Sequence, residues 1–330
     1  MSKRPIAYLA GIGSATPHRV VTNTDLEKTL DTSNEWIVER TGIRQRHFAD
    51  HDESLTSYSL VAAQQAIAKA GITAADVDGI IFATVTPDHR LPSTACGLQA
   101  ALGVSGGWAF DLVAACPGFV YGMAVAEGMM EVGLGDTILV VGAEKLSSIT
   151  DQTDRSTAIL FGDAAGAAVL KRAGADGRGI LSTYLGADGT LAPLLHIPGG
   201  GSADPLSEEL IRDKRHLIKM AGREVFKAAV LAMSRSTDEA ISRAGLTSAD
   251  IDLLIPHQAN LRIIEATAKH AGLPMEKVFV NLDRYGNTSS ASIPLALVDA
   301  VNEGRLKPGM VVMLVSFGAG FAWGSVVLKW

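Results

Sequence analysis

The sequence predicts an α/β protein made of two similar halves, and two observations carry that reading. The first is an internal duplication. Residues 66–81 (AIAKAGITAADVDGII) and 240–255 (AISRAGLTSADIDLLI) agree at nine of sixteen positions, offset by 174 residues. The same offset sets Gly135–Val141 on Gly309–Val315. A third pair, Gly166–Lys171 and Gly324–Lys329, is offset by 158, so the first half carries 16 extra residues between its last two strands. The second observation is the alternation of near-continuous apolar runs with helical patterns, which points to buried sheets covered by helices.

Taken in order, the run Ile6–Gly13 reads as a first strand. Lys3 and Arg4 before it mimic a signal peptide, but the apolar part is short and has no clear cleavage site. Two capping boxes, Thr24 to Glu27 and Thr32 to Glu35, mark helix starts. His47 and His51 have the i, i+4 spacing of a helical metal pair, but their stretch lacks apolar periodicity and reads as a polar loop. Val77–Thr84 and Thr137–Val141 read as strands, with helical patterns at Ser93–Leu102 and Gly118–Glu131 between them. The halves are expected to divide as 1–172 and 173–330, joined near Arg172–Gly189. In the second half, Ile251–Ile255 and Val311–Val315 are strands. Helices are expected over about 221–244, 261–271 and 292–301, and 199–205 is an inserted loop. The uncharged stretch Met310–Leu328 is long enough to span a bilayer. The Gly-rich segment 317–324 interrupts it, so two strands around a turn explain it better.

Composition narrows the function. Of 330 residues, 47% are apolar and 19% charged, enough for a sizeable core and unlike a disordered chain. A net charge of −6 argues against general nucleic-acid binding. Two cysteines, Cys96 and Cys116, exclude a disulfide scaffold and a multi-cysteine metal site, and they fit a reducing, cytoplasmic setting.

Five motifs carry candidate chemistry. Cys116 follows the strand-like run Trp108–Ala115 and precedes Pro117, a favoured first helical residue. A helix N-terminus lowers a thiol's pKa and makes a nucleophile, whereas an ordinary free cysteine is a small buried hydrophobe; both readings stand. Cys96, inside an apolar helical stretch, reads as packing. His257, in Pro256-His-Gln-Ala-Asn260, lies where a strand ends, the end at which α/β folds place ligands. It maps onto Ala83 of the first half, so the halves differ there. Asn287, in Tyr285-Gly-Asn-Thr-Ser-Ser290, reads alone as turn plus helix cap. Phe317-Gly-Ala-Gly320 is either a simple turn or a backbone approach to an oxyanion. Gly11-Ile-Gly13 lacks the third glycine of a dinucleotide fingerprint and the helix that should follow.

Together, Cys116, PHQAN, YGNTSSAS and FGAGFAWG closely resemble the β-ketoacyl-[acyl-carrier-protein] synthase III family. These are the priming condensing enzymes of type II fatty acid synthesis. The resemblance also takes in Thr32–Arg44 and Asp154–Asp163. It implies a homodimer with a thiolase-like fold, two duplicated α/β halves in an αβαβα layering. It implies a catalytic triad of Cys116, His257 and Asn287, with backbone N–H groups of Cys116 and Ala319 as the oxyanion hole. Cys116 would be acylated from acetyl-CoA. His257 and Asn287 would then hold the enolate formed when malonyl-ACP loses CO₂, with no metal or cofactor. Trp36, Arg40 and Arg155 would bind CoA. Acyl carrier protein would dock near Gln258, Ala259, Asn260, Leu261, Arg262 and Lys227, where Arg212, Lys214, Arg215, Lys219 and Arg223 make the sequence locally basic. Leu91 and Phe317 would line the acyl pocket. The same motifs fit a condensing or acyl-transfer enzyme of secondary metabolism, and a non-catalytic carrier-binding subunit would be expected to lack the triad.

Overall fold

The computed structural model describes residues 5–330, so the charges Lys3 and Arg4 lie outside the described residues. The strands are β1 Ala7–Ala15, β2 Arg19–Thr22, β3 Gln45–Phe48, β4 Gly79–Ala83, β5 Trp108–Leu112, β6 Thr137–Glu144, β7 Ala164–Arg172, β8 Gly179–Ala187, β9 Leu195–His196, β10 Lys219–Met220, β11 Leu253–Pro256, β12 Val311–Gly318 and β13 Ala322–Lys329. The helices are α1 Asn23–Glu27, α2 Asn34–Thr41, α3 Leu55–Lys69, α4 Thr94–Leu102, α5 Gly118–Glu131, α6 Arg155–Ala158, α7 Glu208–Arg212, α8 Gly222–Ala244, α9 Leu261–His270, α10 Leu282–Tyr285 and α11 Ser292–Asn302.

The duplication appears as two sheets of matching order, β1-β7-β6-β4-β5 and β8-β13-β12-β11. Strand β6 runs parallel to β4 and antiparallel to β7, and β12 stands in the same relation to β11 and β13. β6 and β12 begin and end 174 residues apart, as do the starts of α5 and α11. The counterpart of β5 is reduced to one bridge between Leu254 and Val278. The sequence match has a local cause: Thr73 with Asp76, and Thr247 with Asp250, form identical capping boxes that turn each helix into the next strand.

Side-chain alternation along the strands builds the layers. On β4, Ile80 and Phe82 pack on α3 and α4, while Ile81 faces α5. On β12, Val312 and Leu314 share that central layer of α5 and α11, while Met313 and Val315 pack on α8 and α9. The order is α3/α4, sheet, α5/α11, sheet, α8/α9. Close approach to the first sheet requires glycine: a Cβ on Gly11 or Gly13 would stand 2.2 Å from the carbonyl oxygen of Ala66 or Ala62 on α3.

Several local expectations are corrected. The caps of α1 and α2 are Thr22 and Ser33, not Thr24 and Thr32, because neighbouring hydroxyls reach the free N–H groups of Asp25 and Trp36. His47 lies on β3, paired with Val20, rather than in a loop. The connection between sheets is short, because half of Arg172–Gly189 is strand β8, which pairs with β13. Met310–Leu328 is the hairpin of β12 and β13. Among the described residues, no helix is long and apolar enough to cross a membrane.

Candidate active site

Beyond β5 the chain makes a tight turn to reach α5. Ala115 takes φ 48°, and the Gly118 N–H donates to its carbonyl at 2.8 Å. The Tyr121 N–H bonds the Pro117 carbonyl at 2.9 Å, so Pro117 is the cap and Cys116 sits one residue before it. The sequence placed the cap at Cys116. Gly318, the last residue of β12, lies against this turn: a Cβ there would stand 2.8 Å from both Cβ and N of Cys116. The residue is half-buried while its sulfur is enclosed. Burial pushes the thiol up to about 12, outweighing the opposing pull of the nearby Ser289 hydroxyl and the backbone N–H groups of Cys116 and Ala319. The expectation of a lowered thiol pKa is therefore overturned, because desolvation outweighs the helix-end donors. Cys96 is corrected too: it is exposed, not packed.

His257 follows β11, and its N–H donates to the Val315 carbonyl at 2.8 Å. It is 4% exposed, and burial lowers its pKa to about 3, so the ring is neutral at physiological pH. Nδ1 lies 2.6 Å from the Ser292 hydroxyl, which leaves Nε2 for the cavity. A serine proton donated to Nδ1 fixes the tautomer with hydrogen on Nε2. Asn287 is clasped through its backbone by the first half: its N–H donates to Leu160, and its carbonyl accepts from Gly162. Its Oδ1 accepts the Ser289 N–H at 2.9 Å. Because that contact needs an acceptor, the amide NH₂ is the group left for a ligand.

Cys116, His257 and Asn287 line one cavity of about 120 Å³, together with Ala259, Asn260 and Phe317. A second cavity of about 240 Å³ shares Cys116, Phe161 and Leu195 with the first and is also lined by Ala319, Leu146 and Ile149. Among the described residues, no group of His, Cys, Asp and Glu could hold a metal ion. A buried nucleophile beside a neutral imidazole and an aimed amide suits acyl transfer followed by stabilisation of an oxyanion.

Comparison with known proteins agrees. Residues 110–189 match the family model of 3-oxoacyl-[acyl-carrier-protein (ACP)] synthase III, and 241–330 match the model of its C-terminal part. The chain is 53% identical, over 330 residues, to the β-ketoacyl-[acyl-carrier-protein] synthase III of Symbiobacterium thermophilum, covering all of this chain and 99% of that one. The chain belongs to the 3-oxoacyl-[acyl-carrier-protein] synthase III family. The synthase III crystal structure from Aquifex aeolicus superposes with a TM-score of 0.91 at 44% identity, over 98% of this chain and 100% of that one. The priming β-ketosynthase of the R1128 polyketide pathway superposes with a TM-score of 0.90 at 33% identity, over 100% and 98% of the two chains. The fold is thiolase-like, as the sequence implied.

Within this synthase III chain, the residues expected at the CoA entrance are neighbours. The guanidinium carbons of Arg40 and Arg155 lie 5.4 and 4.9 Å from the Trp36 ring centre. The Asn260 amide donates to the Arg40 carbonyl, and Arg262 donates to that of Glu39, so α2 and the start of α9 form one rim. Lys227 and Arg262 are exposed, while Ala259, Asn260 and Leu261 are half-buried. Gln258 does not fit a docking role. It is 1% exposed, and its amide is spent on the carbonyls of Pro256 and Phe279 and the N–H of Asn281. There it replaces ladder hydrogen bonds where β11 ends. The basic run is partly neutralised, with Lys214 paired to Asp151, Arg215 to Asp204 and Arg212 to Asp213. Phe317 lines the first cavity; Leu91 is 88% exposed and lines neither cavity within the chain.

Sequence reading missed three residues: Ser292 behind His257, Ser289 beside Cys116, and Glu144. The serines lay inside the YGNTSSAS motif, beyond the asparagine. Glu144 showed only as a carboxylate closing the uncharged run TILVVGA, a costly place for a charge.

Proposed function

We propose that the chain catalyses the priming condensation of type II fatty acid synthesis. Cys116 takes a short acyl group from acetyl-CoA or a close homologue. The acyl-enzyme then condenses with malonyl-ACP to give 3-oxoacyl-ACP, CO₂ and CoA. The observation that carries this is the cavity on which Cys116, from the half 1–172, meets His257 and Asn287, from the half 173–330. The backbone N–H groups of Cys116 and Ala319, which line one cavity, hold the oxyanion of the first tetrahedral intermediate in this reading. CoA leaves, malonyl-ACP enters, and loss of CO₂ leaves an enolate. His257 Nε2–H and the Asn287 NH₂ hold its oxygen. A neutral imidazole suits this, since it donates without giving up a proton. Each such donor contributes about 10²–10³ in rate. The enolate carbon attacks the acyl carbon, and the Cys116 thiolate departs. Loss of CO₂ supplies the carbanion, so the chemistry needs no metal or redox cofactor.

Trp36, Arg40 and Arg155 form the CoA rim by stacking and phosphate pairing. Lys227, Arg262 and the half-buried Ala259–Leu261 receive the acidic carrier. The apolar cavity behind Cys116 has room for a primer longer or more branched than acetyl, and the likeness to a polyketide priming synthase favours testing such primers. The working unit is a homodimer: β5 is an unpaired sheet edge beside exposed Val113 and Leu91, an edge that proteins seldom leave bare. Its setting is the cytoplasm, in keeping with two unpaired cysteines. The test separates the half-reactions. His257→Ala and Asn287→Ala should acylate Cys116 from acetyl-CoA normally yet fail to decarboxylate malonyl-ACP. Equal failure of acylation in both would move these residues to the first step and overturn the assignment.

A further inference from the structure

Glu144 ends β6 with no exposed surface, yet its carboxylate collects five donors. Oε2 accepts from the Thr84 hydroxyl at 3.1 Å, the Val85 N–H at 3.0 Å and the Thr86 hydroxyl at 2.9 Å. Oε1 accepts from the Ser289 hydroxyl at 3.1 Å, and the Ser290 hydroxyl, 3.2 Å away, shares its one hydrogen between Oε1 and the Ala83 carbonyl at 3.0 Å. Ser289 lines the same cavity wall as Cys116, and its hydroxyl acts on the thiol there. Thiol, hydroxyl and carboxylate thus follow one another inside the protein.

A serine hydroxyl has a single hydrogen to donate. While Ser289 gives it to Glu144, its oxygen can only accept from the thiol. Shifting both protons one step yields a thiolate that accepts from Ser289 and a carboxylic acid on Glu144. Charge is conserved, and no water has to enter. We propose that Glu144 receives the Cys116 thiol proton through the Ser289 hydroxyl as the nucleophile forms. The balance is simple: S–H and Ser289 O–H break, new O–H bonds form on Ser289 and Glu144, and the sulfur keeps the electron pair. When the acyl group has passed to Cys116, the proton is available to the departing CoA thiolate. Glu144 touches no substrate, so it is a positioning residue that acts through Ser289. The proposal rests on Cys116 being the acylated nucleophile.

Other groups around Glu144 do not compete for the proton. The Tyr58 hydroxyl on α3 donates to the Glu144 backbone carbonyl at 3.1 Å, and burial holds it far above the usual tyrosine range. The Lys145 ammonium turns away to the carbonyls of Asp50 and Glu53. Asp163 is engaged by Ala49 and Ser147. Asp88 caps α3 through Leu55 and Thr56. The loop carrying Asn287 presents only hydroxyls. Burial raises Glu144 to about 7, so the carboxylate is basic enough to hold a proton at neutral pH.

Two coupled groups that share one proton give a distinctive profile. Below about pH 7 both are protonated, and the thiolate population rises about tenfold per pH unit. Above it, the pair interconverts between thiol–carboxylate and thiolate–carboxylic acid, a ratio that pH no longer changes. The experiment is alkylation of Cys116 by iodoacetamide over roughly pH 5–9, read by peptide mass spectrometry so that exposed Cys96 is counted apart. Wild type should climb and then level off near neutrality. Glu144→Gln should climb throughout, with no plateau. Ser289→Ala should lower the plateau about tenfold or more, because the thiolate loses its charge-assisted donor. His257→Ala should keep the plateau. Identical profiles for wild type and Glu144→Gln would overturn the proposal, as would a plateau lost only in His257→Ala. If Glu144→Gln does not fold, Ser289→Ala decides, and a plateau of wild-type height overturns the relay. Iodoacetamide is not an acyl-CoA, so failure of the synthase reading would leave this result intact, and the converse holds.

Discussion

Gly318→Ala tests how the second half shapes the nucleophile. The added Cβ would lie 2.8 Å from Cβ and N of Cys116 and 2.9 Å from Cδ of Pro117. Carbon atoms rest about 3.5–4.0 Å apart, so a gap of about 1 Å must open. All three atoms belong to backbone or to the first atoms of short side chains, and none can swing aside. Gly318 does not have a left-handed φ, so torsional strain adds nothing and the clash is the whole perturbation. Overpacking of this kind costs about 1–3 kcal/mol of stability. A displacement of about 1 Å at a reacting group costs about 10²-fold in rate. Thermal unfolding and the rate of Cys116 acylation measure the two effects separately. Gly128→Ala on α5 is the control, because nothing lies within 4 Å of its Cβ. Exchanging helical glycine for alanine there should be neutral or stabilise by up to about 1 kcal/mol. Unchanged melting with acylation within about threefold of wild type for Gly318→Ala would refute the packing argument.

Two further predictions concern the groups behind the site. Ser292→Ala removes the hydroxyl at Nδ1 of His257 and frees the tautomer; malonyl-ACP decarboxylation should fall about tenfold while acylation is kept, and equal losses in both steps would point to general disruption instead. Stability against pH separates two opposed titrations. His257 is depressed from 6.5 to about 3, so unfolding takes up a proton there and stability falls as pH drops below 6.5. Glu144 is raised from 4.5 to about 7, so its contribution falls as pH rises through that window. Between 4.5 and 6.5 the two slopes, about 1.4 kcal/mol per pH unit each, cancel. Relative to wild type, Glu144→Gln should lose stability on acidification from pH 6.5 downward in urea titrations. Parallel wild-type and variant curves would contradict this.

The framework was legible because it rests on repeated local chemistry. The helices α5, α8, α9 and α11 fall within a residue or two of the apolar patterns, and the matched capping boxes at Thr73 and Thr247 explain the duplication. Burial of polar groups was not legible. Asn287 to Ser290 look like a surface loop but are nearly inaccessible, held at Ser289 and Ser290 by Glu144 from a strand 145 and 146 residues earlier. Gln258 resembled a docking residue because nothing local shows that Phe279 and Asn281 will need its amide. The thiol's direction of shift failed for the same reason: helix-end donors are visible in sequence, but the walls that exclude water come from both halves. Leader-like charges and acidic balance say nothing of such walls.

The most direct measurement of the central claim is intact-protein and peptide mass spectrometry after incubation with acetyl-CoA. An acetyl adduct should appear on Cys116, should be absent from Cys116→Ser, and should disappear when malonyl-ACP is added, as acetoacetyl-ACP forms. If neither acetyl-CoA nor a longer or branched acyl-CoA labels Cys116, or if the label falls on exposed Cys96, the account of this site is contradicted.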